Sequence, residues 1–272
     1  MPMRAMPPLL LNTDAIELLP AALLRARGNA DARQLAQAIW LLRRKRDGRY
    51  LATATAHGLR ALVPRLMHEP GIEAALDRLD ALPAHYKRIP TDTAWLPLTA
   101  LQQRLAGLGL KAEDYAQRTG LTLQPEPSSL HAAGRDRYAR PLWLSAGAAR
   151  AWRALRHAAT RDGVVLEAIS GYRSHDYQLG IFARKAARGL SLAQILAVNA
   201  APGFSEHHSG HALDIGTPGE PPAEESFERT HAFAWLRTHA SSFGYRMSYP
   251  RDNPHGIVYE PWHWCWQDTS SA

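Results

Sequence analysis

Cysteine is nearly absent from this chain, with Cys265 alone among 272 residues. A single thiol excludes both an intrachain disulfide framework and a cysteine-rich structural zinc site. Long hydrophobic runs are missing as well. No stretch approaches the ~20 uninterrupted apolar residues that a membrane-spanning helix needs, so no membrane span is expected. The first twenty residues, MPMRAMPPLLLNTDAIELLP, hold only the short apolar burst PPLLL, broken by prolines and followed by acids. They lack the basic start, the apolar core of roughly 7–15 residues and the small-residue cleavage site of a secretory signal. The expected compartment is therefore the cytoplasm, with the cell envelope or a dedicated export system as the alternative. Neither a repeat of fixed period nor a polar low-complexity tract is present, which excludes a solenoid and a largely disordered chain.

What is there suits a soluble globular protein long enough for two modest domains or one large one. The formal charge of +7 fits an anionic partner but equally a merely soluble protein. Its one local concentration, LLRRKRDGR at 41–49, reads as the cationic last turn of a helix ending near Asp47-Gly48. No aromatic platform accompanies it, so no nucleic-acid partner is expected.

Periodic apolar positions over the first 125 residues predict a mainly α-helical N-terminal region. NTDAIELLPAALLRARG starts with capping residues Asn12 to Asp14, ends at Gly28 and is divided or kinked by Pro20. DARQLAQAIWLLRRKR puts Leu35, Ala38, Ile39 and Leu42 on one stripe behind Asp31 as cap. TAHGLRALVPRLM, GIEAALDRLDALP and WLPLTALQQRLAGLG continue the pattern. The grammar changes at LTLQPEPSSL, 121–130, whose prolines and serines suit a linker. A second domain over 126–268 is expected beyond it. Ser145 caps a helix over about 146–160, Asp162-Gly163 turns the chain into the strand VVLEAIS, and helices follow at HDYQLGIFARKAARG and SLAQILAVN. HALDIG reads as a short strand and HAFAWLRTHASSFG as a helix. Helices and strands mix without regular βαβ alternation, so the class is α+β.

Two dense patches carry the candidate chemistry: GFSEHHSGHALDIG at 203–216 and YEPWHWCW at 259–266. Catalytic zinc takes three protein ligands from imidazoles and carboxylates and leaves a fourth position open. It also needs a carboxylate off the metal to take a proton. His207 and Asp214 in the first patch, with Glu260 and His263 in the second, make up that inventory, Glu260 being the spare base. The competing reading is a histidine-rich loop and an aromatic tail, since thirteen histidines make some clustering expected by chance. His207 and His211 stand at i and i+4, but His208 occupies the place that an H-E-x-x-H helix reserves for Glu, and Ser209-Gly210 oppose helix.

The run Ser205-Glu206-His207-His208-Ser209-Gly210-His211-Ala212-Leu213-Asp214 fits S-x-H-x-x-G-x-A-x-D, and Glu260-Pro261-Trp262-His263 follows. Upstream, SGYRSHDYQ at 170–178 matches S-[GA]-Y-R-S-x-x-x-Q. With these three ordered motifs, about residues 129–266 resemble the VanY-type D-alanyl-D-alanine carboxypeptidases, zinc peptidases related to VanX dipeptidases and to LD-carboxypeptidases. The resemblance implies a small mixed or antiparallel-sheet zinc peptidase domain of VanY/hedgehog-like fold. It implies one Zn(II) per chain held by His207, Asp214 and His263, and Glu260 as the general base for zinc-bound water. Arg173 becomes the arginine that faces the substrate and stabilises the transition state. Arg173, Gln178 and Ser205, with the hydroxyls of Tyr172 or Tyr249, become candidates for substrate contact. The implied substrate is a peptidoglycan-derived peptide losing a terminal D-alanine from a D,D or an L,D bond. A D,D- or L,D-endopeptidase, or a non-catalytic wall-peptide-binding protein, is the alternative. Cys265 is expected to pack behind the ligands, His208 and His211 to lie behind the site or at the surface, and His255 to be the histidine nearest substrate. Trp262, Trp264 and Trp266 are expected to pack in the core around the metal strand.

Overall fold

The computed structural model describes residues 9–82 and 94–268. The chain divides into two compact units: residues 1–96 with 127–132, and residues 97–126 with 133–272. Residues 97–125, expected to close the N-terminal region, thus belong to the unit that carries the motifs.

The first unit is built mainly of strands, which corrects the expectation of a mainly helical N-terminal region. A tight turn held by the Thr13 N–H to Ile16 O bond (3.0 Å) joins β1 (Leu9–Asn12) to β2 (Ile16–Pro20). After a short helix α1 (Asn29–Gln37), the strands β3 (Ala38–Arg44), β4 (Tyr50–Thr55) and β5 (Gly58–Ala61) follow by antiparallel pairing. The order is β5-β4-β3-β2-β1, with β6 (Ser129–Arg135) beside β1. Leu9, Leu11, Ile16, Leu18, Trp40 and Leu42 alternate onto one face and pack with Ile72 and Ala75 of α2 (Ile72–Asp80).

The helical reading failed where apolar runs are continuous, because a short continuous run does not separate strand from buried helix by period. α1 stops at Gln37 with no buried residue, and the apolar AIWLLRR beyond it is recruited by strand pairing. Sheet formation here overrides the helix propensity of Leu and Ala. Pro20 closes β2 instead of kinking a helix. The basic run 41–49 accordingly spans the end of β3 and a turn. There Arg43 pairs with Glu17 (2.6 Å), and Arg44 with Asp47 and with Glu69 (2.6 Å). TAHGLRALVPRLM forms the β4–β5 hairpin and a 3-10 turn at Leu66–His68.

The second unit opens with α3 (Thr99–Gly107) and α4 (Ala112–Thr119), followed by β7 (Pro141–Leu144). α5 (Ala146–Arg161) begins where the Ser145 hydroxyl accepts the Ala148 N–H (3.3 Å), an N-cap satisfying one orphan donor. Its buried residues Ala148, Ala149, Trp152, Leu155 and Ala159 keep helical spacing and face the sheet core. Then come β8 (Glu167–Ser170), α6 (His175–Ala186), α7 (Leu192–Ala197), β9 (Ala212–Gly216), α8 (His231–His239), β10 (Tyr245–Met247) and β11 (His263–Trp266). The four strands lie antiparallel in the order β10-β11-β9-β8, giving the expected α+β class. Leu213, Ile215, Phe233, Trp235 and Trp264 fill the core with α5, and Trp262 and Trp266 pack against it. A second core joins Leu101 and Leu105 of α3 and Tyr115 of α4 to Phe204, Tyr249 and Ile257. That burial ties residues 97–126 to this unit. Among the described residues, no helix is long and apolar enough to cross a membrane.

Candidate metal centre

Strand register builds the site. His263, first residue of β11, stands directly opposite Asp214 in β9, which also stands opposite Ser170 at the end of β8. His207 comes from the 3-10 turn Glu206–Ser209 just before β9, closed by Gly210 at φ 72°, a left-handed conformation that glycine adopts without Cβ strain. One donor atom from each of His207, Asp214 and His263 lies within 4.8 Å of the other two, and all three residues are buried.

Hydrogen-bond partners assign the tautomers. His207 Nδ1 lies 2.8 Å from the Gly171 carbonyl, which only accepts, so Nδ1 carries the proton and Nε2 presents its lone pair. His263 Nε2 lies 2.8 Å from Glu206 Oε2, so the remaining nitrogen, Nδ1, faces Asp214. Both inward nitrogens are 3.2 Å from the same Asp214 Oδ1. Acceptors converging so closely require a shared cation, whether proton or metal ion. Arg173 supplies part of that charge, with one guanidinium nitrogen 2.6 Å from Asp214 Oδ2 and 2.8 Å from His207 Nε2.

The two imidazoles differ in ionisation, and His263 must give up its Nδ1 proton before it can bind an ion. Burial, followed by the nearby Arg173 charge, holds His207 down to about 4, so it is a neutral imidazole at pH 7. Burial also works against His263 and Asp214 as ions. Hydrogen bonds to Asp214 and Glu206 nevertheless raise His263 to about 10, and His207 and Arg173 hold Asp214 well below the usual carboxylate range. Glu206 is likewise lowered to about 2, its His263 hydrogen bond outweighing burial. Two nitrogens and a carboxylate, each imidazole oriented by an outer acceptor, fit a divalent ion of the zinc type with a position left open. The outer acceptor Glu206 was missed in the sequence. The pairing with His263, 57 positions on, is made by the fold.

Glu260 stands outside this donor set. A turn from the Glu260 carbonyl to the His263 N–H (3.1 Å), with Pro261 at its second position, sets the carboxylate 3.8 Å from His263 Nδ1. Chiefly through burial it is pushed up to about 7. A carboxyl group of that kind takes and gives a proton near neutral pH.

The other candidates are placed as follows. Tyr172 donates its hydroxyl to Glu126, and the Tyr249 ring packs on His263 at 4.8 Å between centroids. Gln178 is 1% exposed and donates to the Ala200 carbonyl (2.9 Å), and Ser205 is buried. Their polar groups are thus tied up inside the protein or buried, whereas Arg173 reaches the donor cluster. His208 is fully buried. Its Nδ1 donates to the Arg173 carbonyl (2.7 Å) and its Nε2 accepts the Gly203 N–H (3.1 Å), bracing both loops of the site. His211 and Trp266 meet in a T-shaped pair with ring centroids 5.4 Å apart, and His255 Nδ1 bonds the Thr119 carbonyl (2.8 Å). Cys265 is buried and lies outside the donor cluster, its Sγ 3.8 Å from the Trp266 carbonyl.

A family model described as "VanY: D-alanyl-D-alanine carboxypeptidase" matches residues 141–269. YodJ of Bacillus subtilis (strain 168) is 37% identical over 120 residues, covering 43% of each protein. A D-alanyl-D-alanine carboxypeptidase of Enterococcus faecalis is 35% identical over 117 residues, covering 39% of this chain and 42% of that protein. The chain thus spans under half the length of these curated relatives. A solved structure of a variant vancomycin-resistance D,D-pentapeptidase VanY in complex with Zn(II) is similar at 29% identity and TM-score 0.38, covering 46% of this chain and 73% of that one. Residues 141–269 thus resemble the VanY-type D-alanyl-D-alanine carboxypeptidases.

Proposed function

We propose that this protein is a zinc-dependent carboxypeptidase that removes a terminal D-alanine from peptidoglycan stem peptides. The observation that carries the proposal is the convergence of His207, Asp214 and His263 beside a glutamate left off the donor set. His207 through Nε2, Asp214 and His263 through Nδ1 would hold one ion. When bound, zinc supplies the Lewis acidity that activates water and polarises a peptide carbonyl. Glu260, poised near neutral, accepts the proton of the attacking water and delivers it to the departing amino group as the C–N bond breaks. A shortened peptide carboxylate and free D-alanine result. Arg173 supplies a permanent positive charge, in a planar fork, for the developing oxyanion or the substrate carboxylate.

The test incubates the zinc-loaded protein with defined tri-, tetra- and pentapeptide stems and reads the products by mass spectrometry. Loss of one alanine from the pentapeptide marks a D,D activity, and loss from the tetrapeptide an L,D activity. Cleavage inside a cross-link without release of alanine would mark an endopeptidase, and intact peptides throughout would refute hydrolysis.

A further inference from the structure

Four residues, Tyr172 to His175, carry Arg173 into the donor cluster, and both ends of that stretch are tied to one buried side chain. Glu126, 4% exposed, precedes the family match at 141–269. Its Oε2 accepts the Tyr172 hydroxyl (2.5 Å), and its Oε1 accepts the His175 N–H (2.8 Å), the first backbone donor of α6. A carboxylate at that point also meets the positive end of the helix. The His175 ring is held from the other side, its Nε2 2.9 Å from the Gln124 carbonyl.

We propose that Glu126 is a positioning residue of the site, clamping the turn that aims the Arg173 guanidinium. Between the two anchored ends, the Arg173 Nε donates to Ser170 Oγ (3.1 Å), its backbone bonds His207 and His208, and its guanidinium tip meets Asp214 and His207. A long side chain has many rotamers, so a fixed fork requires a fixed base. Displacement by about 1 Å of a group that meets the transition state costs on the order of 100-fold in rate. Glu126 sets the base of the fork without touching the donor cluster. The segment 97–126, outside the family match, thereby supplies a working part of the site. The idea deepens the peptidase reading and rests on it for its effect on turnover.

The test compares wild type with Glu126→Ala and with Tyr172→Phe, the latter keeping the ring and removing only the donor. The readout independent of turnover is the rate of phenylglyoxal modification at Arg173, followed by peptide mass spectrometry. Arg137, whose side chain is 18% exposed in the same unit, is the control for general loosening. The expected result is several-fold faster modification at Arg173 in both variants, with Arg137 and zinc content unchanged. An unchanged Arg173 rate, or an equal rise at Arg137, overturns the positioning role. In turnover, Glu126→Ala should cost about tenfold or more in kcat, and nothing further in an Arg173→Ala background. Equal losses in both backgrounds would show a merely structural role. Should wild type release no D-alanine, the peptidase reading fails, while Arg173 reactivity still decides whether Glu126 positions it.

Discussion

Each imidazole of the donor cluster spends one nitrogen on an outer acceptor, Gly171 O for His207 and Glu206 for His263, and turns the other inward. That division of labour makes separable predictions. His207→Ala removes a ligand and should abolish both zinc binding and turnover. Glu260→Gln keeps the donor set and should retain zinc, measured by elemental analysis, while losing roughly 10²–10⁴-fold in kcat. A fully active Glu260→Gln variant would refute the base assignment. Glu206→Ala should leave all three ligands but weaken zinc binding about 10–100-fold in a chelator competition; an unchanged affinity would show that Glu206 only fills space. His207, Asp214 and His263, which the fold brings together, were legible from sequence through the resemblance at their motif positions. Glu206 and Glu126 were not, because their roles depend on partners 57 and 49 positions away, which only the fold brings near.

At the scale of elements, α5 was legible from its cap and its stripe, and Trp152 is the largest side chain at its centre, with no exposed surface. Trp152→Ala should destabilise the second unit by about 3–5 kcal/mol in urea unfolding, through lost burial and the cavity left behind. The loop before His207 depends on Gly203, at φ 87°, where an added Cβ would come within 2.3 Å of Leu101 Cδ2. Gly203→Ala should cost roughly 1–3 kcal/mol from backbone strain alone. It should also lower zinc affinity by moving the turn that holds His207; unaltered unfolding and metal affinity would contradict this account. The first five strands were illegible as strands because Leu- and Ala-rich runs satisfy either period. Pairing between Leu18 and Leu42, or Leu19 and Leu41, is decided across the sheet and not within either segment.

On the scale of the whole molecule, the compact units do not follow the composition break at 121–130. Residues 97–126 pack through Leu101, Leu105 and Tyr115 against the loops bearing Phe204 and Tyr249. A proline- and serine-containing stretch signals extended chain, but burial decides which core it serves. Because the donor set joins β9, β11 and the preceding turn of one unit, zinc at a thousandfold excess over its dissociation constant should stabilise that unit by about 4 kcal/mol. Hydrogen exchange at the β9 and β11 amides should slow accordingly, with those of β3 and β4 unaffected; equal slowing in both units would contradict a local site. The most direct test of the central claim is anomalous diffraction at the zinc edge from crystals of the zinc-loaded protein. The account predicts one strong peak bounded by His207 Nε2, Asp214 and His263 Nδ1, at about 2.0–2.1 Å from each nitrogen, with Glu260 beside it and not bound. A peak elsewhere, or none between those three side chains, would contradict it.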